Sequence, residues 1–224
     1  MASGRAIILD TETTGLDPLH GHRIIEIGAI EMVDGYLTDR VFHQYIHPER
    51  DIPEEAVKVH GITATFLQDK PLFKAISGEF KEFISGATLV IHNAAFDMKF
   101  INHELQRVGL SAFTGSVIDT LQMARRKFPG AKNNLDALCR RFNIDNSNRT
   151  YHGALLDAEL LYKVYIKLTG ADQGGLAIMG AQEVNTVRAS RITRTTRHAR
   201  QFGLTDEERA AHKAFMKSIK EPLW

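Results

Sequence analysis

Four acidic residues and one histidine stand where a folded chain rarely leaves a bare charge. Asp10 and Glu12 follow a short apolar run, Asp97 follows another, and Asp157 lies inside a third, five residues after His152. A buried carboxylate must either give up its charge or meet a cation. Four carboxylates that converge suit hard divalent ions, which prefer oxygen ligands. The set therefore predicts a site for two Mg²⁺ or Mn²⁺ ions, which is chemistry for cleaving phosphodiesters.

The spacing of these residues also predicts how they are held. Asp10 and Glu12 are two positions apart, so on a strand their side chains point to the same side. His152 and Asp157 would lie about 140° apart around one helix, so we place His152 on a loop and Asp157 at a helix start. Such a histidine can take the proton of an attacking water and contributes about 10²–10⁴-fold as a general base. Any one of these residues alone is ordinary for a turn, cap or loop, so the prediction depends on their combination and order.

The segments between these residues predict the elements that carry them. Continuous apolar runs indicate buried strands, and Asp34-Gly35 marks a hairpin turn. Apolar residues at helical spacing indicate helices, one of them capped by Asn93 and the last closed by Gly170. The predicted strands are 5–11, 24–32, 41–46, 88–92 and 117–118, and the predicted helices start at Pro53, cover 72–84, follow Asn93, and cover 119–127, 133–141 and 154–168.

A hairpin followed by alternating strands and helices predicts a mixed α/β sheet with helices on its faces. The ends of strands and the starts of helices meet at one rim of such a sheet, where ligands bind. Asp97, in the first turn of its helix, can therefore approach Asp10 and Glu12 at that rim.

Composition sets the broad class. The 224 residues suffice for one domain with an appendage, and their 43% hydrophobic and 25% charged content is ordinary for a globular protein. Cys139 is the only cysteine, which excludes an intrachain disulfide and fits a reducing compartment. The N-terminus has too few apolar residues for a signal peptide. No apolar run is long enough to span a membrane. We therefore expect a cytoplasmic location without membrane partners.

Charge is distributed unevenly along the chain. Residues 171–224 carry a net +3 and the rest −2. A nearly neutral catalytic region argues against a protein that binds nucleic acid mainly by its own charge. Five arginines and no acid occur in 186–201. We interpret that stretch as a solvated arm, with contact to DNA phosphates as a second hypothesis.

The motifs around the acidic residues resemble those of a known family. Residues 10–16 resemble the first motif of the DEDD exonucleases, 93–97 the second, and 152–157 the third in the histidine-bearing subclass; 59–63 is similar to a further family segment near the substrate. The resemblance covers about residues 5–168. It implies a ribonuclease H-like fold with a mixed five-stranded sheet and helices on both faces. It also implies 3′→5′ hydrolysis that releases nucleoside monophosphates.

The resemblance assigns a role to each residue at a matching position. Asp10, Glu12 and Asp157 would hold one metal ion, with Asp10 bridging to the second. Asp97 would act on a metal through water, and His152 would be the general base. The residues that would shape a slot for the 3′-terminal nucleotides are Thr13, Leu16, His60, Asn93 and Phe96. For Phe96, packing in the core is an equal alternative.

The tail is similar to that of proofreading subunits of bacterial replicative polymerases. Gln173, Leu176 and Ile178 resemble the anchors of a peptide that binds a sliding clamp, although the last anchor is often bulkier and the paired glycines also fit a plain linker. We expect three parts: an exonuclease domain (1–170), a flexible linker or arm (171–204) and a C-terminal docking helix (205–224).

The last segment predicts a docking element. Thr205 opens a capping box, and an amphipathic helix follows it. Phe215, Ile219 and Trp224 would contact the catalytic (alpha) subunit of the polymerase, although the helix can also pack back on the exonuclease domain. Further expected partners are the sliding clamp, a small theta-like subunit, and a single-stranded or frayed 3′ end of DNA.

Two other functions compete with proofreading. A stand-alone exonuclease for RNA or small oligonucleotides would use the same chemistry but would not need a tail ending in an apolar helix. A non-catalytic adaptor would not need all five reactive side chains. A zinc hydrolase is disfavoured because no histidine or cysteine cluster has suitable spacing, and no glycine-rich phosphate loop occurs.

Overall fold

The computed structural model describes residues 4–147, 149, 151–170, 205–207, 209–211 and 213. Its strands are β1 (Arg5–Thr13), β2 (Ile24–Val33), β3 (Tyr36–Tyr45), β4 (Thr88–Ile91) and β5 (Val117–Asp119). They form one five-stranded sheet in the order β3-β2-β1-β4-β5. The first three strands pair antiparallel, whereas β1, β4 and β5 run parallel. The predicted mixed sheet is confirmed.

Two sequence predictions about the hairpin have different outcomes. Asp34 and Gly35 both have positive φ, 50° and 92°, which is the geometry of a tight turn between twisted strands. The turn is therefore where the sequence placed it. The predicted start of β3 at Val41 is wrong, because the strand begins at Tyr36. Its first half is mostly exposed at the sheet edge, so it lacks the apolar pattern that marks a buried strand.

The helices agree with the predictions except for two short elements, a one-turn α-helix and a 3-10 helix, which were not predicted. They are α1 (Glu54–His60), α2 (Ala64–Leu67), α3 (Phe73–Ile84), α4 (Ala94–Arg107), α5 (Thr120–Lys127), α6 (Leu135–Arg141) and α7 (Ala154–Thr169), with a 3-10 helix at Pro18–His20. The sequence reading missed α2, which is only one turn long. Thr63 caps it by accepting from the backbone N–H of Phe66 at 3.3 Å. As predicted, Gly170 closes α7 just after Thr169, with φ 72°.

The helices cover both faces of the sheet, because successive residues of β1 point in opposite directions. Ile7 packs in one cluster with Phe80 of α3 and Phe100 of α4. Ile8 packs in a second cluster with α6 and with α7, where Tyr165 is buried. Full burial of one such apolar side chain stabilises the fold by about 1.5–3 kcal/mol. These two layers hold the ends of β1 and the starts of α4 and α7 in fixed positions.

A buried ion pair joins the start of β2 to α4. Arg23 donates to both carboxylate oxygens of Glu104, at 2.6 and 3.0 Å, and both side chains are almost fully buried. Arg23 also donates to the half-exposed Glu49 at 2.9 Å. The pair therefore fixes the helix that carries Asp97 against the sheet.

The described part of the tail is short. Residues 206, 207, 209–211 and 213 are helical and exposed, and the backbone N–H of Arg209 donates to the carbonyl of Thr205 at 3.1 Å. The helix thus starts where the capping box predicted. Among the described residues, no helix combines the length and apolar character needed to cross a membrane.

Candidate active site

The end of β1 and the first turn of α4 meet at one rim of the sheet. Asp10 and Glu12 lie on the same side of β1. Asp10 is partly buried and Glu12 is buried. Asp97 is buried in the first turn of α4, and its Oδ1 accepts from the Thr11 backbone N–H at 3.1 Å and from the Thr11 hydroxyl at 2.7 Å. Thr11 thereby connects the strand to the helix, and the three carboxyl groups line one cavity.

Asn93 does not begin α4 in the predicted way. Asn93 was predicted to cap the helix with its side chain, but it makes no such bond. It instead adopts the left-handed conformation, with φ 67° and ψ 50°, which asparagine tolerates better than most residues. Its backbone N–H donates to Asp119 Oδ1 at 3.2 Å. This conformation turns the chain directly from β4 into the helix and brings Asp97 to the rim.

The first turn of α7 and the loop before it complete the cavity. Asp157 is buried in that first turn, and His152 lies in the loop with 45% of its side chain exposed. The backbone N–H of His152 donates to the carbonyl of Val59 at 3.1 Å, which ties the loop to α1. Ligand atoms of Glu12, His152 and Asp157 lie within 4.8 Å of one another, close enough to share one metal ion.

The acidic groups repel one another in this setting. Burial, followed by the charges of Asp97, Glu12 and Asp157, raises the pKa of Asp10 well above its ordinary value. Burial is also the main cause that raises the pKa of Glu12 to about 8 and that of Asp97 to about 7. Each group would keep its charge at neutral pH if a cation were close. The oxygen-rich donor set and its unbalanced charge therefore fit divalent ions such as Mg²⁺ or Mn²⁺.

A larger cleft adjoins this cavity. The cavity has a volume of about 340 Å³ and the cleft about 670 Å³, and both are lined by Thr11, Glu12 and Phe96. Residues that the sequence assigned to a nucleotide slot line one or both spaces: Thr13, Leu16, His60 and Phe96 line the cleft, and Asn93 and Phe96 line the cavity. An apolar cleft beside a carboxylate cluster can hold a nucleotide next to a reacting phosphate.

Three of these residues have environments that suit a ligand. Leu16 is 83% exposed and lines the cleft, so its apolar surface is available to a ligand. His60 is buried, and its Nδ1 accepts from the Ile62 backbone N–H at 3.0 Å, while its Nε2 meets no partner in the described part of the chain. Phe96 is partly buried and packs 5.1 Å from the Phe100 ring, so it serves the core and lines the cleft as well.

Comparison with known proteins identifies the family. A family model described as Exonuclease matches residues 7–165. The DNA polymerase III subunit epsilon of Rickettsia felis is 52% identical over 98% of both chains, and that of Escherichia coli is 46% identical over 97% of this chain and 94% of its own. The chain belongs to the epsilon family of 3′–5′ exonucleases. Because the matches span nearly the full length, this assignment includes the tail.

Solved structures support the fold of this epsilon-family chain. Exonuclease X, in complex with 5′ overhanging duplex DNA, aligns with TM-score 0.59 and 28% identity, covering 77% of this chain and 94% of its own. The Escherichia coli ExoI–ssDNA complex aligns with TM-score 0.67 and 18% identity, covering 76% of this chain and 41% of that one. The ribonuclease H-like architecture predicted from the motifs is confirmed. Catalysis with divalent metal ions follows from the family.

Sequence reasoning missed one residue at the centre of the epsilon-family site. Arg149 donates from Nε to Asp157 Oδ1 and from Nη2 to Asp157 Oδ2, both at 2.5 Å, and from Nη1 to Asp136 Oδ1 at 2.7 Å. Its Nη2 also lies 2.7 Å from His152 Nδ1. The signal was available, because an arginine in the polar loop before the third motif is close in sequence to an acidic cluster that needs a cation.

The Asp157 carboxylate differs from the other three because of this arginine. Burial raises its pKa, but His152 and Arg149 together hold the pKa below its ordinary value. His152 Nδ1 cannot both accept from Arg149 at 2.7 Å and donate to Asp157 Oδ2 at 3.5 Å. The shorter contact is the better hydrogen bond, so we assign Nδ1 as an acceptor and Arg149 as the main charge partner of Asp157.

The predicted partner-binding residues of the tail lie outside the described residues. These are the clamp-binding Gln173, Leu176 and Ile178 and the polymerase-docking Phe215, Ile219 and Trp224.

Proposed function

We propose that this chain is the proofreading exonuclease of a bacterial DNA polymerase III and removes nucleotides from a single-stranded or frayed 3′ end of DNA. One observation carries the proposal. The carboxyl groups of Asp10, Glu12, Asp97 and Asp157 line a single cavity that adjoins an apolar cleft of about 670 Å³. The full-length similarity to epsilon subunits supports the choice of DNA as substrate.

We propose that the cavity holds two Mg²⁺ or Mn²⁺ ions, with Asp10, Glu12 and Asp157 as direct ligands and Asp97 acting through water. Such ions supply charge stabilisation for the attacking and leaving oxygens of phosphoryl transfer. The protein side chains bind the ions and set the position of the substrate. Burial, followed by the neighbouring acids, raises the pKa of Asp10 and Glu12, so these carboxylates favour a bound cation. The fixed positions of the carboxylates on β1, α4 and α7 set where the reacting phosphate lies.

His152 would remove the proton from the attacking water. Its side chain is half exposed, so it can reach a substrate in the cavity. A base that uses Nε2 must carry its own proton on Nδ1. The Arg149 contact holds Nδ1 as an acceptor, so this contact has to open before His152 can act as a base through Nε2.

The nucleotide at the 3′ end would lie in the larger cleft. Leu16 and Phe96 offer apolar surface to a base. The His60 Nε2–H, which has no partner among the described residues, would donate to a sugar or phosphate oxygen. Thr13 lines the same cleft, and Asn93 lines the adjoining cavity. These roles predict that shortening Leu16 or Phe96 weakens substrate binding more than turnover.

The expected partners beyond DNA are the polymerase catalytic (alpha) subunit, the sliding clamp and a small theta-like subunit. We propose that residues 1–170 form the exonuclease domain, 171–204 a flexible linker that carries the clamp peptide, and 205–224 the docking helix for the polymerase. The similarity to epsilon subunits over the whole length supports a tail with this purpose. The cytoplasmic location stays a prediction.

The substrate is tested by comparing initial rates on three labelled primers of one sequence. These are a DNA duplex with a mismatched 3′ end, the same duplex fully paired, and a single-stranded RNA. We expect the frayed DNA end to be cut fastest, with release of nucleoside 5′-monophosphates. A preference for RNA would favour the stand-alone alternative instead. No cleavage of any substrate, with an intact fold, would favour the adaptor.

A further inference from the structure

Arg149 forms an ion pair with Asp157, a carboxylate that the proposed metal site needs. Both oxygens of Asp157 accept hydrogen bonds from one guanidinium, in the paired geometry that arginine and a carboxylate prefer. The Arg149 side chain is only 6% exposed and that of Asp157 only 4%. Because the pair is buried, water screens it weakly and the interaction is strong.

The same guanidinium has a second acidic partner at the edge of the site. Asp136 of α6 accepts from Nη1 at 2.7 Å, and its side chain is 37% exposed. It also accepts from the Asn146 side chain at 3.0 Å, which fixes its position. Arg149 is thus held between an inner carboxylate, Asp157, and an outer one, Asp136. The arginine can release the inner partner without losing its charge compensation.

We propose that Arg149 is a resident counter-cation of the metal site, and that a divalent ion binds Asp157 by displacing this guanidinium, which Asp136 retains. The inference deepens the proposed function and rests on its metal site. A metal ion and a guanidinium compete because Asp157 cannot give the same lone pairs to both. The displacement also frees His152 Nδ1 from Nη2, so metal binding and release of the base become one event.

An alternative explanation treats the pair as a plain structural bridge between the loop and α7. The two explanations predict opposite effects of removing the arginine. A structural bridge positions Asp157, so its loss would weaken metal binding. A competing counter-cation is paired with Asp157 and keeps a metal ion from it. Loss of the arginine would therefore strengthen metal binding, and it would also destabilise the metal-free fold.

The test measures Mn²⁺ binding to the full chain by the electron paramagnetic resonance signal of free Mn²⁺. We expect Arg149→Gln to bind Mn²⁺ about tenfold more tightly, the scale of one close charge pair. Without metal it should melt at a lower temperature, and it should gain more than the wild type when Mn²⁺ is added. The matched control is Arg141→Gln, because Arg141 donates to Asn133 and lies over the Phe128 ring, away from Asp157.

Equal or weaker Mn²⁺ binding by Arg149→Gln would overturn the proposal and leave the proposed nuclease function intact. Absence of Mn²⁺ binding by the wild type would overturn the metal site itself. If Arg149→Gln does not fold, the wild type still decides the question. The ¹⁵N–¹H resonance of Arg149 Nε should shift when Mg²⁺ saturates the protein, and an unchanged resonance at saturation would contradict displacement.

Discussion

Gly28 of β2 lies directly against the backbone of Leu155 in the first turn of α7. A Cβ at position 28 would come within 2.2 Å of the Leu155 nitrogen and 2.4 Å of the Ala154 carbonyl oxygen. Gly28 is also the cross-strand partner of Asp10. The absence of a side chain therefore lets α7 approach the sheet beside Asp10, which is what brings Asp157 into the site.

Gly28→Ala should separate α7 from the sheet and weaken the metal site. The methyl group meets backbone rather than a flexible side chain, so we expect a loss of stability of about 1–3 kcal/mol and weaker Mn²⁺ binding. The matched control is Gly78→Ala in α3, where a Cβ meets nothing within 4 Å. There alanine should stabilise the helix by up to about 1 kcal/mol. Urea unfolding and Mn²⁺ titration of both variants check this, and equal Mn²⁺ affinities would contradict the role of Gly28.

Glu104→Ala should be strongly destabilising, because it leaves Arg23 as a buried charge without its main partner. We expect a cost of about 3–5 kcal/mol in the free energy of unfolding. Glu49→Ala removes the other partner of Arg23, whose side chain is 45% exposed, and should cost less than about 1 kcal/mol. Denaturant unfolding measures both values. Similar costs for the two variants would show that burial does not set the strength of this network.

The contribution of Glu12 and Asp97 to the stability of the metal-free protein should fall as pH rises. The pKa of Glu12 is raised from 4.5 to about 8, and that of Asp97 from 3.8 to about 7. In the window between these values the two groups bind more protons in the folded chain than in the unfolded chain, so their contribution to the free energy of unfolding decreases with pH. That contribution is fully present below pH 3.8 and is lost as pH passes about 8.

Thermal melting between those pH limits, with and without Mg²⁺, checks this dependence. Saturating Mg²⁺ should remove most of the decline because it stabilises the charged carboxylates. Glu12→Gln should flatten it in the metal-free protein as well. The same pH dependence in Glu12→Gln as in the metal-free wild type would show that Glu12 does not titrate with a raised pKa in the folded chain.

Much of the site was predictable because its residues follow local patterns. Asp10 and Glu12 end an apolar run, and Asp157 falls in the first turn of a helix whose period is clear. The position of Arg149 near acidic residues indicated a charge partner, but its pairing with Asp157 and Asp136 was not predictable, because these partners lie on different elements and the pairing depends on how α6 and α7 pack. The conformation of Asn93 was also ambiguous, since asparagine serves equally as a side-chain cap and as a left-handed residue.

The strands of the sheet were also only partly predictable from the sequence. Buried strands carry their own signal in a continuous apolar sequence, so β1, β2 and β4 were found within two residues of their ends. The first half of β3 is held by its pairing with β2 rather than by burial. An edge strand of this kind has no apolar pattern, and only the tertiary structure reveals its length.

Removal of residues 205–224 should separate the two proposed functions of the chain. The exonuclease domain keeps its site, so hydrolysis of single-stranded DNA should be unchanged. The complex with the polymerase catalytic subunit should be lost, because the proposed docking helix is gone. Gel filtration of the subunit with either form of the chain measures this. Co-elution of the truncated chain would contradict the assignment of the tail.

The most direct test of the account is Mg²⁺-dependent release of nucleoside 5′-monophosphates from a 3′-labelled single strand. We compare the wild type with Asp10→Ala, His152→Ala and, as a matched control, Asp145→Ala, whose acid lies outside the cavity. We expect His152→Ala to lose about 10²–10⁴-fold in rate, Asp10→Ala to lose all measurable activity, and the control to equal the wild type. Both inactive variants should retain the circular dichroism spectrum of the folded chain. Full activity in either variant would contradict the assigned chemistry.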